Sequence, residues 1–118
     1  MNTTAKEKSF AFAVRIVKLR KHLVETKKEF DISKQLVHSG TSIGANLAES
    51  QQAQSRPDFV AKLSIALKEA SETEYWLNLL HATDYLSETE FTSIIADCHE
   101  LKKMLVTIIK STKGNGLK

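Results

Sequence analysis

The residues that could carry catalysis or bind a metal are four histidines, one cysteine and a group of glutamates. His22, His38, His81 and His99 are spread along the chain, so no two have the i, i+4 spacing of a helical zinc site. Cys98 is adjacent to His99, which points the two side chains to different faces of a helix. Because Cys98 falls on an apolar stripe, we expect a core cysteine and not a nucleophile.

The glutamates that lie closest together are Glu69, Glu72 and Glu74. A di-iron bundle would need Glu-x-x-His pairs and a matching carboxylate helix, and the sequence has neither. Phosphate-binding glycine loops are also missing, since Gly40 and Gly44 fall inside a helical segment. The sequence therefore predicts no catalytic residues, no metal site, no cofactor and no small-molecule substrate, and we expect a protein that is not an enzyme.

Positive charge is concentrated at the start of the chain. Residues 1–28 carry eight lysines and arginines against two glutamates, whereas the remaining residues carry nine against twelve acidic residues. Such a region could contact phosphates without reading bases, or it could be an ordinary solvated helix face. The candidate nucleic-acid-binding residues are Arg15, Lys18, Arg20, Lys21, Lys27 and Lys28.

Long helices must position these residues, because the 118 residues include one proline and four glycines. The hydrophobic period is helical and no segment alternates as a strand would. The pattern predicts an all-α, antiparallel up-down-up-down four-helix bundle over residues 1–111, followed by a flexible tail at 112–118. The expected helices are approximately 4–28, 31–54, 56–84 and 88–111.

Helix starts are marked by capping residues. Ser87 and Glu90 have the spacing of a capping box before the fourth helix. Ser55 precedes the third helix and is followed by Pro57 in the first turn, where a missing N–H is tolerated. Asp31 or Ser33 could cap the second helix.

The first helix has two apolar stripes and so should contact two sets of neighbours. One stripe runs through Phe10, Val14, Val17 and Val24. The other runs through Phe12, Ile16, Leu19 and Leu23. Arg20 falls between the stripes and is a candidate for a paired, partly buried charge. The third helix also has a second apolar face, which indicates more burial than one bundle core provides and favours assembly.

The second helix carries small and polar residues beside its core line of Ile32, Leu36, Ile43 and Leu47. Gly40, Gly44 and Ala48 are spaced by four, which lets another backbone come close. On the opposite flank Ser42, Asn46 and Glu49 either face solvent or form polar contacts between helices or subunits.

A further carboxylate, Glu74, falls within the apolar arc of the third helix. A buried glutamate needs a partner, which Arg20 or Asn46 could supply.

The chain's composition also bears on its location. No apolar run approaches the ~20 residues of a membrane span, and we expect no signal peptide in the first residues. A lone cysteine cannot form an internal disulfide, which suits a reducing cytoplasm. The sequence therefore predicts a cytoplasmic protein without a membrane partner.

The second and third helices resemble a known bacterial family. Its hallmark Ser-Ile-x-x-Asn-Ile-x-Glu is matched by Ser42, Ile43, Asn46, Leu47 and Glu49. The resemblance extends through Ile65-Ala66-Leu67-Lys68-Glu69-Ala70 and Glu74-Tyr75-Trp76-Leu77, and it covers nearly the whole chain. The family was first noted as open reading frames in intervening sequences of 23S rRNA genes. Ser50 departs from the pattern, since many members have glycine there.

The resemblance implies a four-helix bundle that forms a homopentameric ring. The related accessory protein of diversity-generating retroelements is basic and binds nucleic acid and a reverse transcriptase. We therefore predict a ring-forming, non-enzymatic protein that binds RNA, a ribonucleoprotein or a nucleic-acid-processing protein. The alternative is a protein-interaction scaffold without nucleic-acid binding. Residues assigned to the family motif and helix contacts are Ser42, Ile43, Gly44, Asn46, Glu49 and Glu74.

Overall fold

In a computed structural model that describes residues 3–117, with side chains described for 4–114, the chain forms four helices and no strand. They are α1 (Thr3–Glu25), α2 (Asp31–Ser50), α3 (Arg56–Ala82) and α4 (Glu88–Leu117). The described part measures 51 × 22 × 20 Å along its principal axes. The all-α four-helix bundle predicted from the hydrophobic period is therefore confirmed.

Neighbouring helices run antiparallel, as pairs of contacts along each seam show. Between α2 and α3, Ser39 meets Thr73 and Glu49 meets Lys62. Each helix packs closely on the next one in the chain, whereas α1 and α4 approach each other less closely. The up-down-up-down order places α1 diagonally across the bundle from α3.

Capping residues begin α3 and α4 as the sequence predicts. The Glu90 N–H donates to Ser87 Oγ over 3.1 Å, and the Ser87 N–H donates to Glu90 Oε1 over 2.8 Å. The hydrogen bond from the Ser87 N–H lowers the pKa of the Glu90 carboxyl. At α3, the Asp58 N–H donates to Ser55 Oγ over 3.1 Å. The capping box and the N-cap therefore position two of the three turns.

The start of α2 differs from the prediction, because its cap is Glu29 and not Asp31 or Ser33. Glu29 is buried, and its two carboxylate oxygens accept from the N–H groups of Ile32, at 2.9 Å, and Ser33, at 2.7 Å. The Ser33 hydroxyl donates to the Glu29 carbonyl oxygen over 2.9 Å. A carboxylate in this position meets both the free N–H groups and the positive end of the helix dipole.

Three helices end earlier than predicted, and backbone geometry explains why. Lys28 and Asp84 have left-handed φ angles of 58° and 68°, which turn the chain after α1 and α3. After α2, i to i+3 hydrogen bonds replace the α-helical pattern, as between Gln52 N–H and the Glu49 carbonyl at 2.9 Å. These local hydrogen bonds end the helices although the side-chain pattern could continue.

Helix α4 ends later than predicted. It continues to Leu117, whereas the sequence predicts a tail from residue 112. No proline interrupts this segment, and each added residue needs only one more backbone hydrogen bond. The Thr112 hydroxyl also donates to the Ile108 carbonyl over 2.8 Å. Lys118, the last residue of the predicted tail, lies outside the described residues.

The core lies between the inner faces of the four helices and follows the predicted apolar lines. From α2 it includes Leu36, Ile43 and Leu47, all fully buried, whereas Ile32 is only partly buried. Two buried hydroxyls cross the α2–α3 seam within this core, with Ser39 Oγ and Thr73 Oγ1 2.9 Å apart. Thr73 Oγ1 also lies 2.8 Å from the Glu69 carbonyl oxygen. Both polar groups are therefore satisfied without solvent.

The close approach of α1 and α2 occurs at Gly40. A Cβ at Gly40 would lie 2.8 Å from Ile16 Cγ2 and 2.9 Å from its Cγ1, which is too near for an unshifted side chain. A Cβ at Gly44 would lie 3.4 Å from Ser9 Oγ, which is an ordinary contact. Of the two glycines predicted to permit close packing, Gly40 is therefore the one that the α1–α2 seam requires.

Candidate interaction surfaces

The basic residues predicted to bind nucleic acid divide into two groups. Lys18, Lys21, Lys27 and Lys28 are exposed near the end of α1 and in the following turn. None of the four forms an ion pair with a carboxylate of the described residues. We call them the basic end. They are the part of the predicted patch that is free to meet a phosphate.

Arg15 and Arg20 do not belong to the basic end. Arg15 turns toward α4, where its Nη1 lies 2.7 Å from Asp97 Oδ2 and its Nη2 donates to Ser93 Oγ over 3.1 Å. Arg20 is half-buried, as predicted, but its Nε is buried without a hydrogen-bond partner among the described residues. Arg15 therefore strengthens the looser α1–α4 seam, and Arg20 carries an unpaired charge.

Glu74 has partners, but they are not the ones that the sequence suggested. Glu74 Oε1 lies 2.6 Å from Lys102 Nζ, and Glu74 Oε2 lies 2.6 Å from His99 Nε2. Both partners come from α4. The expected Arg20 lies on α1, which does not contact α3, and Asn46 lies on α2 and bonds to its own helix. The hydrogen bond from Lys102 lowers the pKa of the Glu74 carboxyl against the effect of partial burial, and His99 lowers it further.

Acidification should therefore weaken the α3–α4 contact through Glu74. Because folding lowers this carboxyl's pKa, its stabilising effect is present above the pKa of the unfolded chain and is lost as the pH falls through the folded pKa. We expect Glu74→Gln to remove up to about 1 kcal/mol at neutral pH, since the pair is partly exposed. Urea titrations between neutral and acidic pH measure the free energy of unfolding. The difference in this free energy between wild type and Glu74→Gln should disappear in acid. A gap that is constant with pH would contradict the assignment.

The family-motif residues of α2 have three different environments. Ile43 is a core residue. Ser42 and Asn46 are half-buried and bond to their own helix, with Ser42 Oγ donating to the His38 carbonyl over 2.6 Å and Asn46 Nδ2 to the Ser42 carbonyl over 2.9 Å. Of the three polar residues, only Glu49 forms an ion pair with another described helix, 3.1 Å from Lys62 Nζ of α3. The predicted polar contact between helices thus occurs at Glu49.

An open groove of about 770 Å³ lies between α1 and α2. We call this surface the α1–α2 face. Its walls are mostly small or apolar, and Phe10 stands at its edge with 70% of its surface exposed. Val14 and Val17 continue the exposed apolar stripe of α1. The residues that line the groove are Lys6, Glu7, Ser9, Phe10, Ala13, Thr41, Gly44, Ala45 and Ala48.

The other side of α2, together with α3, forms a second surface, which we call the α2–α3 face. The ion pair between Glu49 and Lys62 lies across it. From α2 this face includes Ser42, Asn46 and Glu49. From α3 it includes Lys62 and the residues that follow it at helical spacing, which are Ile65, Glu69, Glu72 and Trp76. Ile65 is 42% exposed.

Two acidic side chains give the α2–α3 face its charge. Trp76 Nε1 donates to Glu72 Oε1 over 3.3 Å. Glu69 Oε1 is buried without a hydrogen-bond partner among the described residues. From the sequence, Glu69 was weighed as a metal ligand and included in the family resemblance, but it was not assigned to a surface. Its spacing of seven from Lys62 was the signal that could have placed it on this face.

The cysteine and histidines have structural surroundings. Burial raises the pKa of the Cys98 thiol to about 12, and its Sγ lies 3.4 Å from the Ala70 carbonyl oxygen. The rings of His81 and Phe91 are stacked at 4.1 Å, and His81 Nε2 lies 3.0 Å from Glu88 Oε2. Within the described part of the chain no three histidine, cysteine or acidic residues form a group that could hold a metal ion.

Within residues 3–117, no helix is both long and apolar enough to cross a bilayer. The cytoplasmic location expected from the sequence stays a prediction.

Comparison with known proteins supports the resemblance seen in the sequence. No curated protein matches the chain. The crystal structure of a protein of unknown function from the S23 ribosomal protein family of Bacteroides thetaiotaomicron, at 1.70 Å resolution, is 58% identical with a TM-score of 0.89. That match covers 90% of this chain and 98% of the other. A model of the 23S rRNA-intervening sequence protein family matches residues 1–107. The chain therefore belongs to the 23S rRNA-intervening sequence protein family.

Proposed function

We propose that the protein is a non-enzymatic, ring-forming bundle that binds RNA or a ribonucleoprotein through the basic end of α1. The observation that carries this proposal is the set of four exposed lysines without carboxylate partners. Lysines grouped at the end of a helix and in the turn that follows it can contact successive phosphates, and such contacts do not depend on base sequence. Some cationic side chains elsewhere, such as Lys8, Arg15 and Lys62, are instead paired with carboxylates.

Assembly is supported by the apolar stripe of α1 that the bundle leaves uncovered. Phe10, Val14 and Val17 are all exposed, although the sequence predicted a second set of neighbours for this stripe. Contiguous exposed apolar surface is typical of an interaction site. A homopentamer, which the family resemblance implies, would repeat the basic end once per subunit. Weak single contacts would then add by multivalency.

The proposal is tested with a labelled rRNA stem-loop in fluorescence anisotropy across a salt series. We expect binding that weakens steeply as salt rises. The variant Lys21→Gln/Lys27→Gln/Lys28→Gln should bind about tenfold or more weakly at low salt. Its logarithmic salt slope should fall by roughly 0.7–0.9 for each phosphate that the variant no longer neutralises.

A matched control removes the same charge elsewhere. Lys68, Lys103 and Lys110 are exposed on α3 and α4, and their triple glutamine variant should bind almost as wild type does. If both triple variants bound RNA equally weakly, the loss of affinity would be due to the lower net charge and not to the position of the lysines. Absence of RNA binding by the wild type at low salt would overturn the nucleic-acid role.

The second candidate is a protein-interaction scaffold without nucleic-acid binding, and the groove of the α1–α2 face favours it. An apolar groove beside an exposed phenylalanine suits the apolar side of a partner helix. Binding of a partner helix through this groove would depend little on salt, whereas RNA binding would weaken steeply as salt rises.

A further inference from the structure

An exposed phenylalanine stands next to the lysines of the basic end. Phe30 immediately precedes α2 and leaves 56% of its surface in solvent. Lys27 and Lys28 come just before it in the chain, and Lys34 follows it by one helical turn. A single exposed apolar residue is ordinary on a protein surface. An exposed aromatic ring with lysines before and after it has the composition of a surface that binds nucleic acid.

The fold itself makes no use of the Phe30 ring. Phe59 and Phe91 are partly buried and pack against the core, whereas Phe30 belongs neither to the core nor to the residues packed against it. Its side chain is therefore available to a ligand.

The charges beside Phe30 that face solvent are mainly positive. Lys27, Lys28 and Lys34 are exposed, and none of them forms an ion pair with a described carboxylate. Glu29 is buried, since its carboxylate accepts from N–H groups at the start of α2. Asp31 is exposed, but it lies about 100° further around α2 than Phe30.

The turn that presents Phe30 is held on both sides. Towards α1, the Glu29 N–H donates to the Leu23 carbonyl over 2.9 Å, and Lys28 takes its left-handed φ of 58°. Towards α2, the Glu29 carboxylate caps the helix. Because this backbone is fixed before a ligand arrives, binding loses little conformational entropy at the turn.

We infer that Phe30 stacks on an unpaired base of RNA while Lys27, Lys28 and Lys34 contact the phosphates beside that base. This inference rests on the proposed function and names the form of RNA that the basic end takes. A base within a duplex has both faces covered by its neighbours, so an aromatic side chain reaches the bases of single strands, loops, bulges and ends. Every base has a face that can stack, so the contact selects unpaired nucleotides without selecting a sequence.

Fluorescence anisotropy with a labelled single-stranded RNA and a blunt RNA duplex of the same length tests this preference. We expect the wild type to bind the single strand about fivefold or more tightly than the duplex, although the duplex carries more phosphates. Equal affinity for the two RNAs would overturn the inference and leave the proposed function standing. Absence of binding to both RNAs at low salt would overturn the proposed function. Tighter binding of a single-stranded DNA of the same sequence would overturn RNA as the source of the base.

Phe30→Ala separates stacking from charge. Its affinity for the single strand should fall about fivefold or more, whereas its logarithmic salt slope should stay that of wild type, because no phosphate contact is lost. Lys34→Gln should instead lower the salt slope by about 0.7, the value for one phosphate of a single strand. Phe30→Trp keeps an aromatic face and should retain wild-type affinity, and single-stranded RNA should quench the emission of the introduced tryptophan.

Tyr75→Ala is the matched control, since Tyr75 is 60% exposed on α3 but follows the acidic Glu72 and Glu74. This variant should bind the single strand as wild type does. Wild-type affinity of Phe30→Ala, or an equal loss of affinity in Phe30→Ala and Tyr75→Ala, would overturn stacking at Phe30. Phe30→Ala should keep the wild-type mass in light scattering and the wild-type circular dichroism, because the ring lies outside the core.

Discussion

Gly40→Ala is expected to lower the free energy of unfolding by about 1–3 kcal/mol, the usual cost of adding a methyl group to a packed interior. The new Cβ would lie 2.8 Å from Ile16 Cγ2, and Ile16 is itself fully buried. A β-branched side chain in a helix has little rotational freedom, so Ile16 cannot turn away without moving α1. The helix propensity of alanine offsets at most ~1 kcal/mol of this strain.

Gly44→Ala is the matched control for this prediction, since it makes the same change one turn later on the same seam. Its Cβ would meet Ser9 atoms at 3.4–3.6 Å, which requires no shift. We expect this variant to unfold at the same or a higher urea concentration than wild type, with a gain of at most ~1 kcal/mol. Equal urea midpoints for the two alanine variants would contradict the close approach at Gly40. Gly44→Leu would instead extend into the groove, where we expect it to disturb assembly.

Glu29→Ala is the second substitution with a large expected effect, a destabilisation of about 1–2 kcal/mol. The change leaves the N–H groups of Ile32 and Ser33 without their acceptors, at the end of a helix where no other group of α2 can accept them. It also removes a negative charge from the positive end of the helix dipole. Urea denaturation followed by circular dichroism measures the destabilisation.

Two companion variants test the capping assignment. Glu29→Gln keeps one carbonyl oxygen as an acceptor and should be less destabilised than Glu29→Ala. Glu25→Ala removes an exposed carboxylate from the same turn region and should change the urea midpoint little. If Glu25→Ala and Glu29→Ala were equally destabilising, the loss of stability would come from removing a negative charge in this region and not from removing the helix cap.

Helix number, order and core could be predicted from the sequence because they depend on short-range periodicity. The line of Leu36, Ile43 and Leu47 identifies the inner face of α2 without knowledge of its neighbours. The cap at Glu29 was missed because capping motifs are dominated by short polar residues at the N-cap, and a glutamate reaching forward from before the helix has no strong sequence signature. Boundaries were misplaced where left-handed residues such as Lys28 ended a helix whose apolar pattern continued.

The partners of charged residues could not be predicted, because they depend on how the helices are rotated against each other. The sequence placed Glu74 in the apolar arc of α3, where it is partly buried, but only the α3–α4 packing brings Lys102 and His99 to it. Arg15 was assigned to a nucleic-acid-binding patch from its position on α1, but its ion pair with Asp97 forms only because α4 packs beside α1. The exposed apolar stripe of α1 was identified from the sequence because its two-sided pattern exceeds what one bundle can bury.

The packing of each helix on its sequence neighbour also determines how the chain can reach its native state. Contacts between consecutive helices close short loops and have a low entropic cost, so such a bundle should fold quickly. The α1–α2 hairpin is complete once residue 50 has left the ribosome, whereas the seam between α1 and α4 must wait for nearly the whole chain. The surface that carries the groove therefore forms early in synthesis, and the contact that closes the bundle is both the last to form and the least tightly packed.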